Sequence, residues 1–231
     1  MYNNCLKLLQ SWLLPVTCLL CGADTRRVSG LCRGCEHSLP YLTQTCPTCA
    51  APGHHSSTAC GQCQRHRPKF DRAVALMHYR SPVDRLIPNL KYHGHLHLAR
   101  HLGELMAVCL LLRPEPPPDC LIPVPLHPTR LRLRGYNQAL EIARPIASRL
   151  NIPLEIDAVR RIRATPAQAL LPLHERARNV RGAFFTRTRF DGRRVAIVDD
   201  VMTSGHTVNS LAHCLRRAGA EDIEVWVVAR A

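Results

Sequence analysis

Four C-x2-C pairs stand within the first 63 residues, and each begins 14 residues after the one before: Cys18 and Cys21, Cys32 and Cys35, Cys46 and Cys49, Cys60 and Cys63. A C-x2-C turn aims two thiolates at one point, and two such turns complete the tetrahedral four-sulfur site that suits zinc. Four pairs therefore predict two structural zinc ions in a double zinc ribbon within residues 1–70. A single pair also reads as a redox couple, and a sulfur set also suits an iron–sulfur cluster, but four in tandem at constant spacing favour zinc. Which pairs join is open. The simplest arrangement puts Cys18, Cys21, Cys32 and Cys35 on one ion and Cys46, Cys49, Cys60 and Cys63 on the other; a crossed one remains. His54, His55 and His66 are read as bystanders, because eight sulfurs fill both sites. The stretch is poor in large apolar side chains, so metal has to hold it together.

Twelve cysteines in a secreted chain would mean disulfides. The first residues argue against secretion: Asn3, Asn4, Gln10 and Ser11 interrupt the apolar ones, and no small-residue cleavage site follows. No apolar run approaches the length of a membrane span. The expectation is a reduced, cytoplasmic protein with no transmembrane segment. Residues 6–14, LKLLQSWLL, read as a short amphipathic helix; a membrane contact is one use, but the stretch is short and weakly basic, which favours packing on the larger domain. Cys5, Cys109, Cys120 and Cys214 fall outside the pairs, and the last three sit among apolar residues as core positions.

The formal net charge is +14, and 28 of the 31 basic residues are arginine. Arginine's planar fork suits phosphate, so a polyanionic partner such as nucleic acid is one reading. A genome rich in arginine codons is the other. Apolar residues make up 46% of the chain, enough for a real core.

Residues 71–231 alternate strand and helix signals. Strands are expected at 73–79, 120–125, 154–162, 183–186, 194–198 and 223–229, and helices at about 96–112 and 137–150, with Pro145 a candidate kink. RPEPPPD, 113–119, is a linker. Another helix follows residue 207 and stops at Gly219. This alternation predicts an α/β domain with a doubly wound parallel sheet, behind the small zinc-ribbon head. Ligands of such sheets bind at the carboxyl ends of the strands.

The run VAIVDDVMTSGHT, 195–207, occupies one of those ends. Asp199 and Asp200 end an apolar strand. Thr203, Ser204, Gly205, His206 and Thr207 then turn into a helix, where successive backbone N–H groups cradle an anion and glycine lets the backbone come close. A phosphate in the loop beside two carboxylates describes a ribose 5-phosphate: the acids accept from the 2′ and 3′ hydroxyls and can order magnesium. A lone DD would be a solvated strand end; the whole pattern is far more specific.

This stretch resembles the phosphoribosyl pyrophosphate (PRPP) signature of type I phosphoribosyltransferases, with Ser204 where threonine is commoner. VPLHPTRLRLRGYNQA (124–139), RIRATPAQALLPLHERARNVRGAF (161–184) and the four cysteine pairs extend the likeness to nearly the whole chain. Together they resemble the ComF family of competence and DNA-utilisation proteins. The resemblance implies that Val124, Pro125, Leu126 and His127 form the pyrophosphate loop. It makes Lys91, Arg130 and Arg134 candidates for the diphosphate, and has Gly135, Tyr136, Asn137 and Gln138 open the next helix. Arg163, Thr165, Gln168 and Arg176 fall in the segment that closes over the site in relatives. The arginines of R-L-R-L-R also read as a solvated or DNA-facing strip, and His127 as an ordinary loop histidine.

For function, the resemblance implies a PRPP-binding protein of natural transformation that handles single-stranded DNA and competence-machinery proteins. Its cofactors would be structural Zn2+ and Mg2+ with PRPP. The alternative is an active phosphoribosyltransferase of nucleotide metabolism with no direct DNA role. The acceptor, and whether turnover occurs, are not legible. Aromatic residues make up only 5%, which argues against extensive base stacking and makes binding mostly phosphate-driven, salt-sensitive and poorly sequence-specific.

Overall fold

A computed structural model describes residues 16–25, 27, 29–54, 57–164 and 182–231. The predicted helix at 6–14, Cys5, His55, Thr165, Gln168 and Arg176 lie outside the described residues. In the head, β1 (Val16–Thr17) pairs antiparallel with β2 (Asp24–Thr25). Two short helices follow, α1 (Arg33–His37) and α2 (Gly61–Arg65), and their N-caps are Cys32 and Cys60.

The body then runs β3 (Arg72–His78), α3 (Val83–Tyr92), α4 (Leu96–Leu111), β4 (Cys120–Pro123), α5 (Pro128–Arg134), α6 (Gln138–Leu150), β5 (Arg160–Arg161), β6 (Phe184–Phe185), β7 (Arg194–Met202), α7 (His206–Arg217) and β8 (Asp222–Arg230). Four strands form one parallel sheet in the order β3-β8-β7-β4. Alternation along β7 sends Val195 and Ile197 to the face that α7 covers, and Ala196 and Val198 to the face that α4 and α6 cover. Covering both faces makes the strands apolar throughout, as in a doubly wound sheet.

Three sequence expectations change. The run 154–162 is not a strand: Leu154 makes a lone parallel bridge to Leu121, the chain bends at 156–158 next to the polar Glu155 and Asp157, and β5 pairs with β6 in a separate two-stranded ribbon. The strand expected at 120–125 ends at Pro123, because Pro123 and Pro125 lack the N–H that a ladder needs. β7 is longer than 194–198 and carries both aspartates inside it. Helices α3 and α5 were not anticipated.

The head is part of this architecture. Leu42 N–H donates to the Leu76 carbonyl (3.0 Å) and His78 N–H to the Pro40 carbonyl (2.9 Å), so the head lies along the free edge of β3. That cover removes the unpaired edge that invites aggregation. Cys18, Leu31 and Leu39 enter the core under α4 and α6, whereas Cys46, Cys49 and Cys63 enter the core under α7. The two sulfur clusters therefore flank opposite faces of the sheet. Glu36 of α1 also pairs with Arg27 (3.0 Å) and with His101 of α4 (2.5 Å).

Candidate functional site

The eight cysteines gather as Cys18, Cys21, Cys32, Cys35 and as Cys46, Cys49, Cys60, Cys63, with the sulfurs of each set within 4.8 Å of one another. This is the sequential pairing, not the crossed one. Four sulfurs about 2.3 Å from a tetrahedral zinc ion stand about 3.8 Å apart. Cys21 Sγ lies 3.8 Å from Cys32 Sγ, and Cys49 Sγ 3.7 Å from Cys60 Sγ. The sets therefore fit structural zinc. Each knuckle repeats one hydrogen bond: Cys32 N–H donates to Cys18 Sγ (3.4 Å), and Cys60 N–H to Cys46 Sγ (3.2 Å). Burial works against thiolate at Cys18 and Cys46, but these N–H donors and their neighbours outweigh it and bring both to about 6.

The second site lies at the carboxyl edge of the sheet. Register places it: Pro123 of β4 is opposite Val198 of β7, and Val124 N–H donates to the Val198 carbonyl at 2.9 Å. Val124 to His127 thus leave the sheet beside Asp199 and Asp200. His127 caps α5, its Nδ1 accepting from Thr129 N–H at 3.3 Å, and Asn137 caps α6 while its side-chain amide holds the Val124 carbonyl at 3.1 Å. Tyr136 donates its hydroxyl to the Leu90 carbonyl, which ties this loop to α3.

The two acids do not protrude from the strand end. Asp199 is 8% exposed and Asp200 3%. Asp200 N–H donates to Asp199 Oδ1 and Val201 N–H to Asp200 Oδ1, both at 2.9 Å. Burial, and then the neighbouring Asp200 charge, push the Asp199 carboxyl well above the usual carboxylate range. Lys91, a candidate for the diphosphate, has its Nζ 2.8 Å from Asp200 Oδ2. Burial favours its neutral form, but the Asp200 charge prevails and its pKa is raised.

After the acids, Gly205 adopts φ +76, where side-chain residues are strained, and it caps α7. The N–H groups of the first turn of a helix have no partner inside it. Ser204 Oγ is buried and has no hydrogen-bond partner among the described residues.

Arg161 was not among the sequence candidates. It is 7% exposed, and its guanidinium lies 5.6 Å over the Phe184 ring. Burial and then the charge of Arg130 lower its pKa, while Asp199 acts the other way. Arg130 is lowered by burial and then by Arg134. Arg134 itself stacks over Tyr92 at 5.4 Å and donates to Gln138. Arg130 and Arg134 belong to one short helix, α5, and Arg161 is close enough to feel the charges of both Arg130 and Asp199. Arg163 follows as an exposed residue. Arg230, at the end of β8 and opposite Met202, was missed too. Its guanidinium donates to the carbonyls of Cys49 (3.0 Å), Met202 (3.1 Å), Thr203 and Ala231. A buried arginine thus ties a residue of the second sulfur cluster to the turn that begins at Thr203. An arginine ending an apolar strand was its only mark in the sequence.

Residues 137–231 match the family model for the phosphoribosyl transferase domain, and residues 9–64 that for the double zinc ribbon domain. The chain is 34% identical over 213 residues to competence protein F of Haemophilus influenzae, covering 88% of this chain and 91% of that one. The chain belongs to the ComF family. A second ComF-type relative, the DNA utilization protein YhgH of Salmonella typhi, is 32% identical over 222 residues, covering 94% of this chain and 98% of its own. Among solved structures, the ComF chain is similar to glutamine PRPP amidotransferase from B. subtilis (23% identity, TM-score 0.38, 56% of this chain and 25% of that one). It is also similar to a purine phosphoribosyltransferase from Pyrococcus horikoshii (18%, 0.33, 69% and 88%). By its family models the ComF chain carries a phosphoribosyl transferase domain with a double zinc ribbon ahead of it. No helix among the described residues is long and apolar enough to cross a membrane.

Proposed function

We propose that this ComF-family chain binds PRPP at the carboxyl edge of β4 and β7 and acts in DNA uptake, handling single-stranded DNA. The 5-phosphate sits in the loop Thr203–Thr207, with Ser204 Oγ as a donor. Asp199 and Asp200 take the sugar hydroxyls. Lys91, Arg130, Arg134 and Arg161 take the diphosphate. The observation that carries the reading is the juxtaposition, at one strand edge, of two buried acids, Lys91 on Asp200, and the Gly205 turn with the Ser204 hydroxyl, which has no partner among the described residues. Asp200 is held by Lys91, so ligand entry is an exchange: Lys91 moves from Asp200 to the diphosphate, and the sugar hydroxyls take its place. Once Asp199 has given up its proton, the two acids suit the hard oxygen coordination of magnesium, which when bound with PRPP would supply positive charge at the diphosphate. The names of the relatives, a competence protein and a DNA utilization protein, support the DNA role.

Replacing both acids, Asp199→Ala with Asp200→Ala, should weaken PRPP binding by about 100-fold or more, since charge-assisted hydrogen bonds are lost at two positions. Calorimetry checks the affinity and metal analysis checks that zinc is retained. Unchanged affinity in a zinc-loaded double mutant removes the phosphosugar reading. Turnover is tested separately, by following pyrophosphate release from PRPP and magnesium as acceptors are added.

A further inference from the structure

The outer surface around α7 holds three clefts that run into one another. One of about 340 Å³ lies between β6 and α7 and is lined by Phe185, Arg187 and Arg217. It shares His213 and Arg217 with a second of about 490 Å³, which adds Arg67 and Lys69. That one shares Arg67 with a third of about 170 Å³, which ends at Ser204, Gly205 and His206. The result is a trough along α7 with one end at the phosphate loop.

Some of its charge is already used. Arg189 is paired with Asp191, and Arg216 with Asp71. Arg67, Lys69, Arg187 and Arg217 have no carboxylate within ion-pairing distance among the described residues. On the same wall Phe185 is 46% exposed. Spaced, uncompensated cations with a bare aromatic ring match one chemistry: a chain of phosphates carrying flat, unpaired bases. A duplex hides its base faces from Phe185, and a lipid surface needs a convex apolar patch where this surface is concave.

We propose that this trough holds a single strand of nucleic acid, along α7 and up to the phosphate loop. It rests on the DNA-handling part of the proposed function and not on PRPP binding. It puts the strand on α7 and the β6 ribbon, not on the R-L-R-L-R segment of α5.

The test uses the full zinc-loaded chain and a fluorescein-labelled dT15, followed by anisotropy between 50 and 200 mM NaCl. If the four cations neutralise four phosphates, affinity falls about 50-fold across that range. In the triple variant Arg67→Gln, Arg187→Gln, Arg217→Gln it should fall only about threefold, and at 50 mM salt binding should be at least about 10-fold weaker than wild type. Phe185→Ala should weaken binding about fivefold or more without changing the salt slope. Arg132→Gln, on α5, should match wild type. Zinc content, thermal midpoint and PRPP calorimetry establish that the variants are folded. A folded triple variant with wild-type affinity and slope overturns the trough, as does a wild-type chain that prefers duplex DNA or phosphatidylglycerol vesicles to dT15. Loss of dT15 binding with PRPP binding intact supports it; a wild-type chain that binds dT15 but not PRPP sinks the phosphosugar reading alone.

Discussion

Asp199 and Asp200 are neighbours with different tasks, and their surroundings assign them. Lys91 neutralises Asp200 at 2.8 Å. Asp199 has burial and a like charge against it, so its carboxyl is raised. The folded chain thus holds a proton there that an ordinary aspartate has lost. Between the usual carboxylate range and the raised value, the folded state binds more protons than the unfolded state, and stability falls as pH rises. Asp199→Asn should therefore flatten the decline, and its urea midpoint should exceed that of wild type at pH 8 but not at pH 4. PRPP affinity should drop in the same variant. Such a trade of stability for binding is what a site residue shows and a packing residue does not.

Among the elements, Gly103 sets how closely α4 and α6 approach each other. A Cβ at Gly103 would stand 2.4 Å from the Ile142 carbonyl oxygen and 2.4 Å from Pro145 Cγ. Neither is the end of a flexible side chain, so α6 would have to move. Gly103→Ala should cost about 2 kcal/mol, at the middle of the range for overpacked cores, read as a lower urea midpoint with an unchanged slope. The N-cap of α6 is Asn137, which also holds Val124, so part of that shift should reach the loop Val124–His127. Pro145, a candidate kink, lies inside α6, where it faces Gly103. The failed strand at 154–162 has a related cause: Arg160 and Arg161 pair with Phe184 and Phe185, across a separation in sequence that no local pattern reveals.

Across the whole molecule, the head and body are coupled unequally through the two sulfur sites. Cys49 of the second site receives Arg230, which also holds Met202 and Thr203; the first site has no such link among the described residues. Cys60→Ser should therefore remove one zinc ion per chain and weaken PRPP binding about 10-fold, as losses of supporting contacts around a site commonly do. Cys32→Ser should remove the other ion and leave PRPP affinity near wild type. Arg230→Met should keep both ions yet reproduce the binding loss of Cys60→Ser. Metal analysis and calorimetry on the three variants decide the matter; equal losses from both cysteine variants would mean that no unequal coupling exists.

Local chemistry was enough to reveal much of this protein. The 14-residue cysteine repeat, the apolar runs of β7 and β8, and the turn around Gly205 each carry their meaning within a few residues, because sulfur spacing, side-chain periodicity and backbone freedom are short-range properties. What needed the tertiary structure was every partnership between distant residues. Lys91 meets Asp200 only because α3 lies over the sheet edge, Arg161 lies over Phe184 only through the β5–β6 ribbon, and Arg230 meets Cys49 only because the head covers β3. Strand register and helix packing decide such meetings. They minimise the free energy of the whole chain at once, so they leave no periodic trace in any one segment.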